Sequence, residues 1–119
     1  MNPEVLLSRI RVVLCRTSHP GNIGAAARAM KTMGLSNLYL VEPKQFPDPE
    51  ADARATSAVD VLQRAKITSS LKEALVGASF VVALSARQRD IGPVIGAPRE
   101  TVARLIAEAE HGEVALVFG

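Results

Sequence analysis

Arg28 stands in the stretch TSHPGNIGAAARAMKTMG (Thr17–Gly34), behind two glycines, an asparagine and a run of alanines. A turn between two elements needs one glycine, but it does not need an arginine at this spacing. On a helix, Arg28 lies two turns beyond Gly21 and one beyond Gly24, on nearly the same face. Gly21, Gly24 and Ala25 leave that face almost bare. The expectation is a smooth groove at a positive helix end with one guanidinium above it. Such a groove suits a phosphate, or a ribose with its phosphate. Asn22 serves either as the helix cap or as an amide offered to a ligand, and its spacing favours the cap.

Other chemistries fit less well. A dinucleotide fingerprint wants three glycines, and only Gly21 and Gly24 are present, although Glu42 at the end of the next apolar run mimics the ribose-binding acid of that fold. No Gly-Lys-Ser/Thr follows, so a nucleotide-hydrolase loop is excluded. His19 and His111 are the only histidines, one in a turn and one at a helix end, and neither pairs with a nucleophile in the sequence. There is no metal-ligand cluster. Tyr39, Phe46, Phe80 and Phe118 are the only aromatics, mostly in or beside strand-like runs, so stacking on RNA bases is disfavoured. Any RNA contact rests on charge and shape, through Arg28, Lys31, Arg87 and Arg89.

These residues need a scaffold. The runs RIRVVLC (Arg9–Cys15), NLYLV (Asn37–Val41), FVVAL (Phe80–Leu84) and VALVF (Val114–Phe118) are apolar without polar alternation, as in parallel strands covered on both faces. A weaker fifth candidate surrounds Ile67. Between them lie helical spacings: Ile23, Ala26, Ala27, Met30 and Met33, closed by Gly34; then Ala55, Ala58, Val59 and Leu62. Ser70 with Glu73 forms a capping box before a short helix that Gly77 ends, and Pro98 opens a last helix that Gly112 stops. Strands alternating with helices predict one α/β domain: a parallel sheet of about five strands flanked by helices, related to the Rossmann fold. Long loops after strand ends, Pro43–Glu50 and Arg87–Pro98, are where such sheets place their sites.

The 119 residues suffice for one domain, and no apolar run approaches a membrane span. The lone Cys15 excludes an internal disulfide and fits a reducing cytoplasm. Net charge is only +2, but residues up to Lys44 carry +4 and the remainder −2, an asymmetry that attracts a polyanion.

Taken together, HPGNIGAAARAMKTMGL, LYLVEP, ALSAR and VALVFG resemble, in order along almost the whole chain, the SPOUT class of knotted RNA methyltransferases. The resemblance is nearest to the tRNA ribose 2′-O-methyltransferase branch of the TrmH family, the TrmJ-like enzymes. Asn22, Gly24 and Arg28 match that family's first motif. The resemblance implies methyl transfer from S-adenosylmethionine to a ribose 2′-hydroxyl of tRNA, at the cytidine or uridine of anticodon-loop position 32; the alternatives are rRNA as the substrate, or a non-catalytic RNA-binding module. It also implies a cytoplasmic homodimer, with Arg28 and Asn22 at the reaction centre. Leu84, Ser85, Ala86 and Gly119 would hold the cofactor.

Two departures stand out. Leu84 occupies a position where the family usually has threonine, which removes a hydroxyl contact. The family's acidic loop and its Ser-Leu-Asn-type knot segment have no counterpart up to Gly119. On this reading residues 1–119 are the N-terminal part of such a domain, truncated before the knot, and inactive alone.

Overall fold

The computed structural model describes residues 1–84 and 98–119. Five parallel strands, β1 (Ile10–Cys15), β2 (Asn37–Val41), β3 (Lys66–Thr68), β4 (Ala78–Leu84) and β5 (Glu113–Phe118), form one sheet in the order β3-β2-β1-β5-β4. Around them lie α1 (Pro3–Ser8), α2 (Pro20–Thr32), α3 (Pro49–Ala55), α4 (Val59–Gln63), α5 (Leu71–Ala74) and α6 (Pro98–Ala109). The central strand β1 pairs on both sides, Val13 standing opposite Tyr39 of β2 and Val117 of β5. The strand around Ile67 is present as the three-residue edge β3.

Alternation along β1 divides the core. Ile10, Val12 and Leu14 join Leu38, Leu40, Val114 and the apolar side of α2 in the larger cluster, whereas Val13 joins Val41, Ala74, Ala115 and Val117 in a smaller one. Ile23, Leu38 and Leu40 are fully buried, each stabilising the fold by about 1.5–3 kcal/mol relative to exposure. The expectation that every strand is covered on both faces fails at β4, where Ser79, Val81 and Ala83 are exposed while Phe80 and Val82 are half-buried. As an edge strand, β4 has α6 packed on one side, and no described element with more than slight contact covers the other.

The helix ends carry their own chemistry. Gly34 and Gly77 stop helices at φ of +82° and +89°, values that only glycine adopts without strain. Ser70 Oγ accepts from the Glu73 N–H at 3.1 Å, and the Glu73 carboxylate accepts in return from the N–H of Ser69. Gly112 is not the stop of the last helix. That helix ends at Ala109 and tightens through Glu110 and His111, whose N–H groups reach back three residues to Ala107 and Glu108. Helix α1, capped by the Asn2 side chain, lies in a stretch that apolar patterning leaves unassigned. The helical spacing of Ala55, Ala58, Val59 and Leu62 spans a break: Thr56 sits at φ +50° and ψ −113°, and a 3-10 turn joins α3 to α4. Met33, expected on the buried stripe, is largely exposed and borders an apolar cavity of about 260 Å³ with Leu14, Leu116 and Phe118.

Arg11 is the charged residue of the core, 4% exposed. Its guanidinium donates to the carbonyls of Ala74 and Val76 at 2.8 Å, pairs with Glu113 at 2.7 Å and lies 4.9 Å from the Tyr39 ring centre. It thereby ties the end of α5 to the amino-terminal rim of the sheet. Arg11→Met, which keeps the apolar stem, is expected to cost about 2–3 kcal/mol, through the orphaned carbonyls. Urea unfolding checks this: the midpoint should fall at unchanged slope. An unchanged midpoint would mean that desolvating the cation cancels its bonds.

Candidate functional site

Pro20 begins α2 at the end of the loop after β1, and His19, not Asn22, is the cap residue, in extended conformation. Its side chain makes no capping bond. Asn22 lies inside the first turn, exposed, its backbone N–H bonded to the His19 carbonyl. The proline fixes this start: it has no N–H to satisfy and its φ is already helical.

The bare face expected over Gly21 and Gly24 is not open. Helix α3 crosses it. A Cβ on Gly24 would strike the backbone carbonyl of Ala51 and lie 2.9 Å from Arg54 Cβ, and one on Gly21 would meet the Glu50 carboxylate at 2.8 Å. The glycines are small because a second helix needs the room. Only the far half of the face stays clear, as a depression of about 480 Å³ lined by Ala25, Arg28, Ala29, Thr32, Met33 and Arg54. Arg28 is exposed there, and its guanidinium has no ion pair or hydrogen bond among the described residues. Arg54 is the residue that sequence reasoning passed over. Its charge is almost unspent, since Glu50 stands 4.0 Å away with both side chains more than half exposed.

Lys31 belongs elsewhere. It bonds Asp60 at 2.9 Å, fastening α2 to α4, and does not line the depression. The hydrogen bond from Lys31 holds the Asp60 carboxyl below its ordinary 3.8, aided by the charges of Lys31 and Arg64 and against a small desolvation. A carboxyl lowered in the folded state stabilises above its unfolded pKa, and that contribution disappears as pH falls through the folded one. Asp60→Asn is therefore expected to be less stable than the parent at pH 7, by a margin that narrows as pH falls below 3.8. Thermal melts across this pH range check this.

At the carboxyl-terminal rim, the ends of four strands gather. The Gly119 N–H donates to the Leu84 carbonyl at 3.3 Å, so two of the expected cofactor residues are neighbours. Among the described residues, a Cβ on Gly119 would meet only Cys15 Cβ, at 4.0 Å. Burial raises the Cys15 thiol above its ordinary value, opposed by the charge of Arg16, so it stays protonated at neutral pH. Successive strands run outward from β1 to β2 and β3 on one side, while β5 flanks β1 on the other. The crevice between β1 and β5 is thus a topological switch point, where open α/β sheets take their ligands. Beside it, Arg16 and Glu42 both adopt left-handed backbone, φ +51° and +46°, and pair at 3.2 Å. Glu42 is so engaged with its neighbour, not set out as a ribose acceptor. Ser85, Ala86, Arg87 and Arg89 lie outside the described residues. Among the described residues no cluster of three metal-ligating side chains is found, and no helix is long and apolar enough to cross a membrane.

A tRNA (cytidine/uridine/adenosine-2′-O-)-methyltransferase TrmJ of Pseudomonas aeruginosa is 55% identical over 115 residues, 96% of this chain and 45% of the relative. The chain thus spans a little under half the length of that curated relative. A probable methylase family protein from Haemophilus influenzae superposes with a TM-score of 0.85 at 43% identity, over 95% of this chain and 46% of that one. TrmJ from Z. mobilis superposes at 0.74 and 33% identity, over 91% and 49%. The profile of the SpoU rRNA Methylase family matches residues 9–119, from the arginine before β1 to the glycine after β5, and the chain belongs to that family.

Proposed function

We propose that this chain carries the catalytic arginine and part of the cofactor floor of a tRNA ribose 2′-O-methyltransferase, acting on cytidine or uridine at anticodon-loop position 32. The observation that carries the reading is Arg28, an unpaired guanidinium beside a floor of Ala25 and Ala29, on the helix that leaves the central strand. The P. aeruginosa and Z. mobilis relatives, both TrmJ proteins, support tRNA over rRNA as the substrate.

When bound, S-adenosylmethionine supplies an electrophilic methyl carbon on a sulfonium. The residues at the strand ends fit such a group: Gly119, after β5, presents no side chain, and its N–H meets the carbonyl of Leu84 at the end of β4. Ser85 and Ala86, outside the described residues, are further proposed cofactor contacts. In-line transfer needs the 2′ oxygen aligned with the methyl carbon and freed of its proton. An arginine side chain is a poor base, because deprotonating one at pH 7 costs about 7–9 kcal/mol. Arg28 acts as a cation instead. It grips the phosphate next to the target ribose and stabilises the alkoxide that develops, while the proton passes to that phosphate or to water. Asn22, at the start of the same helix, orients the nucleotide.

The experiment is a chimera in which residues 1–119 replace the matching stretch of the P. aeruginosa relative, given labelled S-adenosylmethionine and a tRNA transcript. Methyl groups mapped to the ribose of position 32 support the proposal. Transfer to rRNA and not to tRNA redirects the substrate, and transfer to neither ends the enzymatic reading.

A further inference from the structure

The geometry points to Arg54 as a second phosphate-gripping residue, which holds the RNA backbone across the depression from Arg28. This inference rests on the tRNA reading above and adds a residue from a different helix. Arg54 lies in the last turn of α3, and Arg28 projects from the second half of α2, yet both line one depression floored by Ala25 and Ala29. Thr32 and Met33 complete the lining, so no carboxylate of the described residues belongs to it. Two like charges facing one cleft repel each other unless an anion sits between them, so the arrangement favours an anionic occupant.

Packing sets this placement. The Arg54 stem lies over both glycines of α2, Cγ at 3.6 Å from a Cβ position on Gly21 and Cβ at 2.9 Å from one on Gly24. Side chains at those positions would push α3 and its arginine away. Beyond Arg54 the chain turns at once through Thr56, a β-branched residue at φ +50°, where α3 stops. Backbone strain of this kind persists where the surroundings over-determine it. The competing partner is Glu50, at 4.0 Å and exposed, a contact weak enough for a phosphate to displace. A guanidinium takes phosphate oxygens with two parallel bonds, and a pair of arginines on one strand fixes register along the backbone without reading bases.

The test measures binding of a fluorescent tRNA transcript to this chain by anisotropy at several salt concentrations. Arg54→Gln keeps the stem that packs on the glycines and removes the charge. It is expected to weaken binding about tenfold and to lower the slope of log K against log salt by about one. Arg54→Lys should retain the parent's salt slope and recover part of the affinity. Arg64→Gln removes an exposed arginine outside the depression and should bind like the parent. Melting curves of all four proteins confirm equal folding, and the Lys and Gln variants are compared at matched stability. Parental affinity and slope in Arg54→Gln would overturn the inference and leave the tRNA reading intact. An equal loss in Arg64→Gln would also overturn it, as diffuse charge. A parent chain that does not bind tRNA at any salt overturns this inference together with the RNA reading on which it rests.

Discussion

Arg28→Lys is expected to lower methyl transfer by about 10²–10³-fold in the chimeric enzyme while leaving its melting temperature where it was. The range is that of removing one preorganised donor from a developing oxyanion. Lysine keeps the charge but offers a single mobile ammonium where arginine offers a planar fork, so it cannot hold phosphate and alkoxide together. Folding is untouched because the side chain is exposed and unpaired among the described residues, and such surface changes stay within about 0.5 kcal/mol. Single-turnover assays with saturating tRNA separate the loss of chemistry from a loss of binding. Near-native turnover would remove the fork from the mechanism.

Gly24→Val is expected to act on the fold, with a loss of about 3 kcal/mol and a melting temperature lower by about 10 °C. A side chain there meets the carbonyl of Ala51, a backbone group that cannot rotate away, so α3 has to move as a body. Helix α3 carries Ala51 and Ala55, both completely buried, and any movement opens the large core. The control is Gly119→Ala, whose new Cβ would find only Cys15 Cβ among the described residues, at 4.0 Å, and should leave the melting temperature unchanged. At Gly21 the obstacle is the end of a carboxylate that can swing aside, so Gly21→Ala falls between the two. Equal melting of the Gly24 and Gly119 variants would mean that the helix crossing is looser than the geometry described here.

How much of this was legible in the sequence follows from where each element sits. Strands β1, β2 and β5 were readable as apolar runs because they are interior and need no polar face. Edge strands gave weaker or misleading signals: β3 has three residues, two of them exposed, and β4 buries only one side of an apolar run. The break at Thr56 left no trace, since a 3-10 turn returns Ala58 and Leu62 to the same core that Ala55 enters. Close approach at Gly21 and Gly24 was foreseeable, but a glycine does not say what approaches it, and the visitor was a helix. Arg28 stood out because a lone charge among alanines needs a reason. Arg54 did not, because with Glu50 four residues earlier it reads as an ordinary surface ion pair.

The buried Arg11 anchor sits at the rim of the sheet opposite Leu84 and Gly119, and this separation has a consequence for how the protein can change. The bonds from Arg11 to Ala74, Val76 and Glu113 hold the scaffold without any residue of the carboxyl-terminal rim. Substitutions at the carboxyl-terminal strand ends can therefore accumulate, and be selected for a new RNA, without drawing on the same reserve of stability. A lineage built on this sheet is free to drift in what it modifies while inheriting its lower rim intact.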